Sequence, residues 1–228
     1  MHIPDGYLSP QTYAPLYAAW IGFASVALRK VKADLQAAHV PYLAMAAAFS
    51  FVIMMFNIPI PGGSTGHAVG AAVVAVLLGP WTAAVAVSVV LVIQALVFGD
   101  GGVTALGANC FNMAVVMPFV SWWVFRLLRG KALSRPRLTA AAFMAGYAGL
   151  TASAVLTAVE LGVQPLIATG ADGRPLYAPY PLEVAVPVMA AEHLLVFSVL
   201  EGVVTALVVR YFAAHEPSLL GAPGEARP

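Results

Sequence analysis

Hydropathy divides this chain into seven apolar segments, parted by polar clusters or by proline and glycine. They run at about 10–28, 41–58, 68–78, 81–98, 108–128, 138–161 and 184–212. Each reads as an α-helical span, because roughly 20 apolar residues rising 1.5 Å apiece match a hydrocarbon layer ~30 Å thick. The third segment is too short to cross alone. It either starts as early as Ser64 or is a re-entrant piece held inside the bundle. Gly79-Pro80 separates it from the fourth.

Composition turns this pattern into a class. The chain is 61% hydrophobic and 9% charged, whereas a soluble domain carries about 25% charged residues. We therefore expect an all-α polytopic membrane protein. Its basic residues set the orientation. Arg29, Lys30 and Lys32 follow the first segment, five more lie between Arg126 and Arg137, and Arg210 closes the last. The opposite loops hold Asp5, Asp100, Glu160, Asp172, Arg174 and Glu183. The positive-inside rule then predicts a seven-transmembrane-helix bundle with its N-terminus outside and its C-terminus cytoplasmic. Residues 1–214 would form a single transmembrane domain, with 1–9 as an external arm and 215–228 as a cytoplasmic tail.

Several function classes drop out. A net charge of +1 argues against a nucleic-acid partner, and one cysteine, Cys110, excludes a disulfide framework. Nothing matches GxxxxGK[ST], so this chain is expected to hydrolyse no ATP itself. No nucleophile–base pair or multi-histidine cluster can be assembled, so it is expected not to be an enzyme, and no organic cofactor is implied. No basic residue precedes Arg29, which argues against a cleaved signal peptide. His2 is too large for methionine removal, so Met1 is expected to stay with a free amine.

The opening "MHIPDGYLSP" carries distinctive chemistry. The Met1 amine and the His2 amide nitrogen would close a five-membered ring on a metal, and the His2 amide and its own Nδ1 a six-membered one. Three nitrogens from two residues then lie in one plane, and tetragonal nitrogen ligation suits Ni(II) or Cu(II). The plain alternative is an ordinary start codon followed by chance histidine. The fourth nitrogen is sought in "NIPIPGGSTGHAVGAA", where His67 follows a Pro/Gly loop on the outer side. Asn57, Ser64 and Thr65 offer hydrogen bonds to orient its ring; a solvated helix-start histidine is the alternative. In "VFGDGGVTALGANCFNMAV", Asp100, Thr104, Asn109 and Asn112 meet the same outer face. Asn109 and Asn112 are three apart and share a helix face, placed to bond the arm and the His67 loop.

Other polar residues support a rival reading. Glu192, His193 and Glu201 are costly in lipid; they either pair within the bundle or relay protons in a secondary transporter of metals or small solutes. Glu160 is expected at the interface, and His39 and His215 in solvated cytoplasmic segments.

The stretches "MHIPDGYL", "GGSTGHAVG" and "FGDGGVTALGANCFNMA" resemble the substrate-binding S components of nickel and cobalt energy-coupling-factor transporters, the NikM/CbiM family. That resemblance spans the segment layout nearly end to end. It implies a helical bundle with an additional N-terminal helix whose start folds back to bind metal. It also implies Ni2+ or Co2+ as the transported ligand, held by the Met1 amine, the His2 amide and imidazole nitrogens, and the His67 imidazole. Expected partners are a transmembrane T component, two cytoplasmic ATPases, often a small accessory membrane protein, and the lipid of the inner (cytoplasmic) membrane. The family's coupling helix aligns with the second segment, which makes Ala44 and Ala48 expected partner contacts.

Overall fold

The computed structural model describes residues 1–34, 40–60, 64–130, 134–216 and 220; His39, Gly62, Gly63 and nearly all of the expected tail lie outside them. Helices dominate. After the arm come α1 (Pro10–Asp34), α2 (Val40–Met54) and a two-stranded ribbon, β1 (Ile58–Ile60) and β2 (Ser64–Gly66). Helix α3 (Ala71–Leu78) follows. Four long helices complete the bundle: α4 (Pro80–Phe98), α5 (Leu106–Arg129), α6 (Arg135–Ile167) and α7 (Leu182–His215).

These four are long and apolar enough to cross a membrane. Helix α1 has 25 residues, about 38 Å at 1.5 Å each, while the eight residues of α3 reach only about 12 Å. Outward-facing side chains such as Leu127 (78% exposed) and Leu195 (76%) would be a liability in water and suit lipid. The protein is thus a multi-pass, mainly helical membrane protein.

One expectation needs correction: the chain is not wholly helical. Ile58–Ile60 pairs antiparallel with Ser64–Gly66, Pro59 opposite Thr65. Proline lacks a donor, and an isolated two-stranded ribbon leaves it an outer edge where none is required. The Gly79-Pro80 break forms as expected. Gly79 takes φ 91° and its N–H donates to Ala75 O at 3.0 Å, ending α3. Pro80 then opens α4, where a missing N–H costs nothing.

Helix α6 is the hub, packing along α5 and α7. Contact there is close: a Cβ at Gly146 would stand 2.8 Å from the Glu201 carbonyl oxygen, so α7 needs glycine opposite it. Three long helices widen into a π-helical turn, at Gln94–Phe98, Phe111–Val116 and His193–Phe197. Each wide turn carries one buried polar side chain, Gln94, Asn112 and His193. Such bulges recur at functional sites because they re-aim side chains.

Candidate metal centre

The arm has no regular structure, so its backbone must find partners elsewhere. It finds them on the loop before α5. The Ile3 N–H donates to Asn109 Oδ1 at 2.8 Å, and Ile3 O accepts from Asn109 Nδ2 at 3.1 Å and from Gly102 N at 2.8 Å. The Asp5 carboxylate accepts from Val103 N, Thr104 N and the Thr104 hydroxyl. That hydroxyl first, helped by the two backbone donors, holds Asp5 below its usual pKa against the opposing effect of burial. Ser64 Oγ donates to His2 O at 3.2 Å, Ser9 N to Gln164 Oε1 at 2.9 Å, and Ala178 N to Tyr7 O at 3.1 Å. Ile3 and Leu8 pack with Ala105, Ala108, Leu161 and Ala178. The arm is strapped inside the protein.

Gly102 makes this close approach possible. A Cβ there would lie 2.3 Å from Asp5 N and 2.6 Å from Pro4 C, both backbone atoms. We expect Gly102→Ala to lift the arm and to weaken Ni(II) binding about ten-fold or more, given the 1–3 kcal/mol that overpacking costs. Calorimetric titration checks it, and wild-type affinity in that variant would show that the strap does not hold the site.

At the arm's tip, Met1, His2 and His67 meet, almost fully buried. The Met1 side chain sits in the main apolar cluster with Met54, Met113 and Phe197, and its amine donates to Thr65 Oγ1 at 3.2 Å. The His2 and His67 rings stack with centroids 4.7 Å apart and planes 25° from parallel. Their hydrogen bonds assign their tautomers. His2 Nε2 lies 3.3 Å from Gln94 Oε1, and that oxygen only accepts, so Nε2 carries the proton. His67 Nδ1 lies 3.0 Å from Ala68 O, so there Nδ1 carries it. Two lone pairs are left over, on His2 Nδ1 and His67 Nε2. Both are buried without a hydrogen-bond partner.

Electrostatics keep the cluster neutral. Burial pushes the Met1 amine from 8.0 down to about 4, against the opposing pull of Asp100 and Glu192. Burial, then the neighbouring amine, pushes His2 to about 3, the Gln94 bond opposing. His67 is driven well below its ordinary value, first by burial and then by the amine and His2. Asp100 Oδ1 stands 3.5 Å from His2 Nδ1. With His2 neutral and that distance beyond hydrogen-bonding range, the two do not form an ion pair. Burial raises the Asp100 pKa, partly offset by the amine and by Asn57, whose Nδ2 donates to Asp100 Oδ2 at 3.4 Å. Uncharged nitrogens with free lone pairs are what a transition ion takes as ligands.

Of the residues singled out in the sequence, the structure therefore brings Met1, His2 and His67 together and rings them with Ser64, Thr65, Asp100, Asn57 and Asn109. Asn112 is a correction. Instead of reaching the arm it donates to Thr157 Oγ1 at 3.0 Å and Glu160 Oε2 at 2.8 Å, because the wide turn opening at Phe111 breaks its three-residue register with Asn109. Glu160, expected at the interface, is buried within the bundle. Glu192, His193 and Glu201 form no chain of hydrogen bonds with one another among the described residues. Glu201 accepts from Val69 N and Gly70 N, and His193 Nδ1 donates to Met189 O within its own helix. Ala44 and Ala48 are exposed on α2. Gln94 escaped the sequence reading, although a lone amide inside the apolar run "VLVIQALVF" is a legible signal, since burying it unpaired is costly.

Fold and cluster together define a multi-pass membrane protein with the Met1 amine and two histidine rings buried together under its N-terminal arm. The chain belongs to the CbiM family: the family model described as "Cobalt uptake substrate-specific transmembrane region" matches residues 2–219. It is 57% identical over 221 residues to a fused nickel transport protein, NikMN, of Rhodobacter capsulatus, covering 96% of this chain and 64% of that protein. It is 46% identical over 222 residues to a probable fused nickel transport protein, LarMN, of Lactiplantibacillus plantarum, covering 96% of this chain and 66% of that one. The chain thus spans about two thirds of the length of these fused relatives. The crystal structure of a truncated transition metal transporter superposes with a TM-score of 0.90 at 49% identity, covering 94% of this chain and 99% of that one.

Proposed function

We propose that this chain is the substrate-binding S component of an energy-coupling-factor transporter that takes up Ni(II) or Co(II). The observation that carries it is the pair of orphaned lone pairs, His2 Nδ1 and His67 Nε2, buried beside a neutral Met1 amine. With the His2 amide nitrogen they supply four nitrogens, and a planar nitrogen set suits Ni(II). The kinship with a cobalt uptake family and with nickel transport proteins supports the same cargo.

In this reading the ion enters from outside and the His2 amide gives up its proton to the medium. The straps from Asn109, Gly102 and Asp5 hold the chelate closed. Asn57 orients Asp100 at the mouth of the site. A T component and two cytoplasmic ATPases, with or without a small accessory membrane protein, then tilt the subunit in the cytoplasmic membrane to release the ion inward. The exposed face of α2 with Ala44 and Ala48 is the proposed contact for the partners. The N-terminus lies outside, the bundle counts seven segments, the short α3 held among its neighbours, and the chain holds one domain over 1–214. Uptake of Ni(II) into proteoliposomes tests the assignment: transport is expected only with the partners and ATP, and ATP-independent uptake by this chain alone would overturn it.

Proton release is a finer test. An amine at its ordinary value near 8.0 would shed most of a proton on metal binding at pH 7, and the amide another. The docked amine, held near 4 by burial, is already neutral, so about one proton is expected per ion. The missing proton reappears as a cost of docking. The docked values of the amine and of His2 both lie below the free ones, so arm docking is fully favoured above pH 8, weakens up to ten-fold per unit as pH falls through the amine's range, and weakens more steeply below about 6.5, where His2, held near 3 by burial, adds a second proton. Calorimetry in buffers of different ionisation heat counts the protons. Two at pH 7 would mean an undocked arm, and none would exclude the amide.

A further inference from the structure

Glu201 is fully buried near the start of the second half of α7, and it belongs to no site described so far. Its Oε2 accepts from Val69 N at 2.8 Å and from Gly70 N at 3.0 Å. Those two donors stand at the head of α3, where orphan N–H groups favour a carboxylate. The turn that makes them converge needs Gly70, which takes φ 75° and faces Phe49 so closely that a Cβ would fall 2.7 Å from its ring.

The peptide between Ala68 and Val69 joins this carboxylate to the metal centre. The described chain has no cis peptide, so the N–H and C=O of that unit point in opposite directions from one rigid plane. Its N–H meets Glu201. Its C=O, the Ala68 oxygen, accepts the Nδ1 proton of His67 at 3.0 Å. A carboxylate holding one end of the plane therefore sets where the other end points and enriches the electron density of its oxygen. Metal-binding histidines are commonly oriented by a carboxylate or a carbonyl on their second nitrogen; here both stand in series.

We infer that Glu201 is a positioning residue for His67, acting through the Ala68–Val69 peptide to hold the imidazole in the tautomer that leaves Nε2 free for the ion. The inference rests on His67 being a ligand, as proposed above. The backbone of Glu201 is itself pinned: its carbonyl faces Gly146 across α6 and accepts from Thr205 Oγ1 at 2.7 Å. A displacement of α7 relative to α3 thus reaches His67 through one peptide plane.

The test compares wild type, Glu201→Gln and Glu201→Ala, with the five histidines labelled with 15N and His67 assigned by its loss in His67→Gln. In metal-free protein the expected His67 signal is the Nδ1–H tautomer in wild type. Glu201→Ala should show the Nε2–H form emerging, and Glu201→Gln should keep the tautomer but shift the Nδ1 proton upfield. Ni(II) affinity should fall about 10–100-fold in Glu201→Ala and less in Glu201→Gln. In a His67→Ala background the same substitution should add nothing, since the cycle removes the shared path. A pure Nδ1–H tautomer in Glu201→Ala overturns the inference, as does an equal affinity loss without His67. Should Glu201→Ala fail to fold, an unmoved Nδ1 proton in Glu201→Gln overturns it too. The tautomer is read without metal. A shifted tautomer in protein that binds no Ni(II) would therefore uphold the relay and reject the ion site.

Discussion

Acetylating the Met1 amine, or placing one residue ahead of it, is expected to lower Ni(II) affinity by more than about 100-fold, beyond the 10–100-fold typical of groups that merely support a ligand. Two independent costs combine. The amide formed by acetylation has no basic lone pair until it loses a proton, so the one nitrogen ready to close the five-membered ring without deprotonation is lost. The amine is also fully enclosed, with the Met1 side chain at 0% exposure and Thr65 Oγ1 at 3.2 Å. Added atoms must displace packed neighbours, at roughly 1–3 kcal/mol. Calorimetric titration of the modified protein reads the result. Full affinity with a blocked amine would remove the Met1 chelate from the mechanism.

His67→Ala should be equally severe. The substitution deletes the free Nε2 and the stacking partner of His2, 4.7 Å away, and leaves a hole in a buried site that the strapped arm cannot readily fill. We expect more than about 100-fold loss of Ni(II) affinity. The absorption of the remaining Ni(II) complex should shift as water or a side-chain oxygen replaces imidazole nitrogen. His215→Ala is the control. His215 is exposed at the far end of α7 and bonds only its own helix at Tyr211 O, so its loss should leave affinity unchanged. If His67→Ala keeps both affinity and spectrum, the fourth nitrogen lies elsewhere and the orphaned Nε2 has another role.

Much of this site could be read before any coordinates. Met1 and His2 are neighbours in the chain, so their chelate geometry follows from bond lengths and needs no fold. His67 stood out because a histidine between a glycine-rich loop and an apolar run has few reasons to be there. The Gly79-Pro80 break and the four long apolar helices follow from local composition alone. What misled was periodicity applied past its range. Asn109 and Asn112 share a face only on a regular α-helix, and the π-helical turn at Phe111–Val116 sends them to different partners.

The chain order alone pointed to a membrane-embedded helical bundle and to closely spaced nitrogens on its N-terminal arm, because lipid forces long apolar runs and chelation needs adjacent atoms. The folded molecule alone reveals that Gln94 and Ala68 assign opposite tautomers to the two histidines, and that a carboxylate 132 residues away in the chain from Val69 grips the peptide behind one of them. Hydrogen-bond partners so distant in sequence leave no periodic trace. They come together because a buried polar group left unpaired is costly, and two of those that do stay unpaired, His2 Nδ1 and His67 Nε2, lie side by side under the arm, where the proposed ion would bind.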